Sequence, residues 1–239
     1  MIVIDILIIL LIILFGVYGY KTGFVKTVVD TVGLILVFVF AYLFKDPIAE
    51  WMSYNLPFFG FWGSFKGITI LNVIIYQLIA FIIVFAVLMV AFALLVKLTS
   101  LIEKILKWTF ILKLPSKILG FIVGLVEGIF VASIILMITT LPVFNFTYVT
   151  DSKVKDFILE AVPITGTLSS ATNKAINEIM DLKEEYDKSD NKDEFNAKCL
   201  DVLLEYKIIS VEYAENLLNG GKLDIPNGME IVNKYKIKD

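Results

Sequence analysis

Three carboxylates stand inside otherwise apolar stretches of this chain: Asp5, Asp30 and Glu127. Two amides, Asn72 and Gln77, do the same. A carboxylate at membrane depth can bind a cation, relay a proton or line a polar path, and it is expensive to keep there unpaired. Glu127 stands seven residues after Gly120, an offset of only about 20° on a helix. It therefore shares a face with Gly120, Gly124 and Gly128, which recur every four residues and let a neighbouring helix approach closely. Either Glu127 hydrogen-bonds across that contact, or it lines a polar path or binds a cation.

The other polar residues also have two readings each. Gly16, Gly19 and Gly23 form a second small-residue stripe, and Asp5 lies on the line that Gly19 continues. Asp5 also falls one turn from a helix start, where a carboxylate can reach water and favours the N-terminus. Asp30 follows Lys26 by four residues, the spacing of a helical ion pair; a proton relay is the sharper reading. Asn72, with Tyr76 and Gln77, opens an apolar run. There it either hydrogen-bonds between helices near the outer interface or belongs to a substrate site.

Soluble-enzyme chemistry is poorly supplied. The chain has no histidine, so the commonest general base and a common metal ligand are missing. Its one cysteine, Cys199, can form no intrachain disulfide. Ser116 and Lys117 are adjacent and do not face each other on a helix. No phosphate-binding loop, dinucleotide turn or metal-binding helix is present. The expectation is a non-enzymatic protein with no catalytic set, no metal and no cofactor.

The elements that must position these residues are membrane helices. Of 239 residues 58% are hydrophobic, against roughly 45–50% in a soluble domain. A spanning helix needs about 20 mostly apolar residues. Four segments qualify, at about 2–20, 24–44, 68–96 and 118–141. The third reaches ~43 Å at 1.5 Å per residue, so it must tilt, bend or project. The first lacks the basic start and cleavage pattern of a signal peptide and reads as a retained span.

Lysines set the expected orientation. Lys21 and Lys26 follow the first span; Lys97, Lys104, Lys107, Lys113 and Lys117 lie between the third and fourth. The positive-inside rule puts both groups in the cytoplasm and both termini outside, in a bacterial plasma membrane. Asp46 reads as an N-cap and Pro47 as the first residue of a short helix, 48–56. The aromatic run 57–62 resembles an interfacial belt. Residues 98–112 read as an amphipathic helix on the inner membrane surface, and Ser116 as the N-cap of the fourth span.

After Pro142 the character changes. Residues 151–239 carry a net charge of −6, the first 150 a net +3. The expected organisation is a four-helix transmembrane domain (1–150), an amphipathic juxtamembrane helix (151–182) broken by Pro163, and an acidic helical extension (183–239). A charged linker covers 181–193, and three short helices follow, the second capped by Ser210 and stopped near Gly220. Cys199, in this outer extension, is expected to react with reagents applied from outside. Such an acidic module lacks the basic footprint needed for nucleic acid.

Taken together, Ile4-Asp5 at the first span, Gly19-x-x-x-Gly23-Phe24 at its turn and Leu119-Gly120-x-x-x-Gly124-x-x-Glu127-Gly128 in the fourth resemble the colicin V production protein (CvpA) family. Leu56 to Gly60 and Leu114-Pro115 look like its Gram-positive members. Proteobacterial members tend to carry arginine where Glu127 stands. The resemblance covers about residues 1–180. It implies an all-α, four-span inner-membrane protein linked to toxin production or export and to envelope homeostasis, and it supplies no catalytic residues. The function expected is an accessory or scaffold protein. The other reading is a small oligomeric channel or transporter with a polar path at Glu127 and Asp30. The partners expected are the lipid bilayer, further copies of the chain, and an envelope or secretion protein.

Overall fold

A computed structural model describes residues 2–61, 69–103, 113–140, 152–189 and 191–236. Among these the chain is all-α, with no strand. Its helices are α1 (Ile2–Thr22), α2 (Phe24–Asn55), α3 (Leu71–Glu103), α4 (Lys113–Thr139), α5 (Lys153–Ala161), α6 (Pro163–Ser189), α7 (Lys192–Glu205), α8 (Val211–Asn219) and α9 (Gly228–Lys236). Stretches of α1 to α4 are long and apolar enough to cross a membrane: Ile4–Thr22, Phe24–Asn55, Leu71–Lys97 and Pro115–Thr139. Their outward side chains are apolar, as at Leu7, Leu43 and Val90, each about 60% exposed. Such a surface requires hydrocarbon around it. The chain is a multi-pass membrane protein.

Several boundaries differ from those expected. The short helix 48–56 is not separate: α2 runs through Pro47 to Asn55. Asp46 does not cap it, because its carboxylate takes hydrogen bonds from Lys45 (2.8 Å) and from Gln77 on α3 (2.9 Å). Ser116 does not cap the fourth span either. Helix α4 begins earlier, at Lys113, and Pro115 sits in its first turn, where a missing N–H costs no helical bond. The Ser116 hydroxyl instead accepts the backbone N–H of Phe24, 3.1 Å away. The charged stretch 181–193 is no linker through most of its length; α6 continues through it to Ser189. Residues 98–103 of the expected surface helix continue α3, and 104–112 lie outside the described residues, as do Trp62 and Pro142.

Other local signals act as read. The chain breaks at Val162 and restarts with Pro163 as the first residue of α6, where proline is tolerated. Ser210 caps α8 by accepting the N–H of Tyr213, and Gly220 closes it.

The chain divides into two compact units, 1–40 with 86–170 and 41–85 with 171–239. In the first, α1 and α4 lie antiparallel with their backbones in contact. Gly128 packs on Ile12, Gly124 on Phe15 and Gly16, and Gly120 on Gly19, so register falls along α1 as it rises along α4. A Cβ on Gly19 would collide with the Gly120 carbonyl oxygen and lie 3.1 Å from the Gly124 Cα; one on Gly120 would meet the Gly19 carbonyl. Gly23, at φ +89°, makes the turn from α1 into α2, a conformation that L side chains rarely adopt. Further along α2, Gly33 accommodates the Phe92 ring of α3, and Phe38 meets Phe130 of α4 edge-on, with ring centroids 5.6 Å apart.

The second unit is built from residues 41–55 of α2, the start of α3, the end of α6 and α7 to α9. Ala49, Met52, Val73 and Tyr76 share a core with Leu200, Leu203, Tyr213 and Leu217. Polar contacts fix α8 along α2. Tyr213 and Ser53 share a 2.7 Å hydrogen bond, Asn216 donates to the Glu50 carboxylate (3.0 Å), and the Tyr54 hydroxyl donates to the Asn216 carbonyl. The acidic C-terminal segment thus shares one core with two of the apolar helices. Cys199 lies inside that core, fully buried, and burial pushes its thiol up to about 12. The expectation that external reagents reach it is corrected: the thiol is shielded and stays protonated at neutral pH.

Gly19→Ala should destabilise the full chain by about 1–3 kcal/mol, because backbone atoms opposite cannot rotate away from the added methyl. Gly60→Ala, whose Cβ would meet nothing within 4 Å, should change little. Thermal unfolding in detergent micelles compares the two, and equal melting temperatures would contradict the close α1–α4 approach.

Candidate intramembrane polar site

Glu127 is 7% exposed, on the flank of the glycine face of α4. Its side chain crosses to α2 rather than α1. There the Thr31 hydroxyl lies 3.2 Å from Glu127 Oε2 and 2.8 Å from the carbonyl oxygen of Thr27. A hydroxyl carries one hydrogen and two lone pairs. When Glu127 is ionised, Thr31 can turn its hydrogen to the carboxylate. When Glu127 is protonated, the carboxyl can donate to Thr31 while Thr31 donates to Thr27. Both forms are accommodated without moving a heavy atom. The second oxygen, Oε1, accepts no hydrogen bond among the described residues.

Around this pair the first unit forms an open cavity of about 730 Å³, with walls from α1, α2, α3 and α4. Helix α1 contributes Tyr18, α2 contributes Lys26 and Asp30, and α4 contributes Glu127; the remaining wall is apolar, with Phe15, Met89 and Phe92 prominent. The structure thus brings Asp30 and Glu127 to one space. Lys26 acts on Asp30 electrostatically, and the Tyr18 hydroxyl faces the same carboxylate. The expected Lys26–Asp30 ion pair does not close among the described residues. Lys26 is exposed, and a long lysine stem lets the ammonium seek water.

Asp5 lies elsewhere in the same unit. Its carboxylate accepts the hydroxyl hydrogen of Ser152, whose oxygen in turn accepts the N–H of Lys155 and caps α5. Asp5 therefore ties the start of α1 to the helix that follows α4. The six stripe glycines form the α1–α4 contact and its turn. Asn72 and Gln77 belong to the second unit. Asn72 is buried and holds a loop, not another helix: its amide accepts the Phe59 N–H (2.7 Å) and donates to the Phe59 and Thr69 carbonyls. Its position in the first turn of α3 puts unpaired loop backbone within reach. Gln77 does bridge helices, donating to Asp46, and its own carbonyl oxygen is buried without a partner. The two amides and the two carboxylates therefore make separate polar sites. Among the described residues no three Asp, Glu, His or Cys side chains converge as a metal site.

A family model, Colicin V production protein, matches residues 4–163. The chain belongs to the colicin V production protein family. No curated protein and no solved structure matches it. The family segment of this colicin V production protein relative contains both glycine stripes, Asp5, Asp30, Asn72, Gln77 and Glu127. It stops at Pro163, earlier than the resemblance read from the motifs, so nearly all of α6 and all of α7 to α9 lie beyond it.

Thr31 and Tyr18 escaped the reading of the sequence. A signal for Thr31 exists: Thr27 and Thr31 stand four apart on the face of α2 next to Asp30. Tyr18 carried none, since an aromatic near a span end ordinarily reads as interfacial. In this family member Thr31→Val keeps the shape but removes the partner of a buried carboxyl, and should cost roughly 1–3 kcal/mol. Thr31→Ser should cost much less. Thermal unfolding of both separates hydroxyl from methyl, and equal losses would assign the effect to packing.

Proposed function

We propose that the protein is a non-enzymatic membrane accessory protein that scaffolds toxin production or export, and with it envelope upkeep. The observation that carries this reading is the second unit. Residues 171–239 fold directly onto parts of α2 and α3 through a continuous core. This makes a firmly mounted surface that a partner can dock on. The lysine distribution favours an extracytoplasmic position for this unit and for both termini. The Asp5–Ser152 contact agrees with an even number of spans, since it joins the start of the first to the chain just past the fourth.

Glu230 is exposed on α9, and the native thiol is buried. In cells carrying Glu230→Cys, an impermeant maleimide should label the protein from outside, while the wild type stays silent. Photocrosslinking from the same position should capture an envelope or secretion protein. Labelling only after permeabilisation would reverse the orientation. The absence of any crosslink, together with a phenotypically silent deletion of 171–239, would remove the scaffold reading.

A second reading, a small oligomeric channel or carrier, is favoured by the cavity that joins Asp30 to Glu127. On this reading cation flux into proteoliposomes should fall several-fold in Glu127→Gln. Equal flux in both, or none in either, would remove it.

A further inference from the structure

We propose that the cavity within the first unit is a binding site for a lipophilic organic cation, held by charge at Asp30 and Glu127 and by the aromatic and aliphatic wall. Its volume, about 730 Å³, lies within the roughly 300–1,000 Å³ typical of small-molecule sites. The walls come from all four long helices, and the space between them is an open groove rather than a closed chamber.

Charge decides which ligand fits. From α2 the titratable groups are Asp30 and Lys26, from α4 Glu127, and from α1 Tyr18; the α3 wall contributes Met89, Phe92 and other apolar side chains. Two carboxyl groups face one ammonium, and that ammonium belongs to an exposed lysine at the edge. Glu127 is only 7% exposed as a residue, and its Oε1, which accepts no hydrogen bond among the described residues, keeps access to the open space that Glu127 lines. A carboxylate among apolar walls is expensive without a counter-charge, and a bound cation would supply one. Phe15, Tyr18 and Phe92 bring aromatic rings to the same wall, and ring faces attract organic cations. A hydrocarbon chain would fill the space but leave Oε1 uncompensated, and an anion would meet both carboxylates. The proposal goes beyond the scaffold reading. It shares its carboxylates with the carrier reading but asks only for binding, so binding without flux removes the carrier alone.

The test uses the full chain in non-ionic micelles with radiolabelled tetraphenylphosphonium, against empty micelles and the isosteric anion tetraphenylborate. Wild type should bind the cation saturably and the anion only at background. Glu127→Gln should weaken binding at least fivefold. Lys26→Gln, which removes the opposing charge from an exposed position and should not disturb folding, should tighten it several-fold. Background binding of the cation, equal saturable binding of the anion, or cation affinity unchanged in both variants would overturn the proposal. If Glu127→Gln does not fold, an unchanged affinity in Lys26→Gln overturns it alone.

Discussion

Backbone-to-backbone contact between α1 and α4 is the constraint on which the first unit depends. In lipid, burying apolar side chains gives little drive for helix association, because the tails are as apolar as leucine; close packing and polar contacts must supply it. Glycines on both helices let the carbonyls of Gly19 and Gly120 approach where any side chain would hold them apart. The same register places the hydroxyl of Ser116, in the first turn of α4, against the N–H of Phe24 at the start of α2. It sets the Gly23 turn beside the α4 start and brings Glu127 within reach of Thr31.

The turn then fixes what α2 presents. With Gly23 in a left-handed conformation, α2 restarts one residue later, and Thr27 and Thr31 satisfy their hydroxyls on the preceding turn. Such back-bonding lets hydroxyls sit in an apolar helix at low cost. It also leaves Thr31 oxygen able to accept from, or donate to, a carboxyl. A carboxyl at this depth would otherwise be poorly tolerated, so the threonine and the acid are best understood together.

The second unit follows a different logic. Its C-terminal helices are amphipathic and bury one face, as helices in water do. What they bury against is the later part of α2 and the opening of α3, whose own composition suits hydrocarbon. The junction is marked by polar side chains set among apolar ones: Glu50, Ser53 and Tyr54 of α2 meet Tyr213 and Asn216. Those residues tell a lipid-facing helix surface from a protein-facing one.

Much of the architecture was legible in the sequence for simple reasons. Span length follows from hydrocarbon thickness, and runs of apolar residues are long enough to read without neighbours. The glycine spacings, the break at Pro163, the cap at Ser210 and the family motifs are likewise local patterns. Local patterns failed where a distant partner outbid them. Asp46 and Ser116 carry cap chemistry, but Gln77 and Phe24 claimed their oxygens. The stretch 181–193 looks like a linker, yet Lys183 and Tyr186 are drawn into helix α6 and its packing. Cys199 sits in an acidic, outwardly soluble segment, and only the fold of α7 onto its neighbours hides it. By itself the sequence determined which segments are helices, which faces are small or apolar, and that carboxylates lie among them, because these depend on period and composition. Which helix each carboxylate meets depends on the register of segments nearly a hundred residues apart. Tertiary structure alone decided that Glu127 faces Thr31, that Asp5 holds Ser152 and that Glu127 and Asp30 line one cavity.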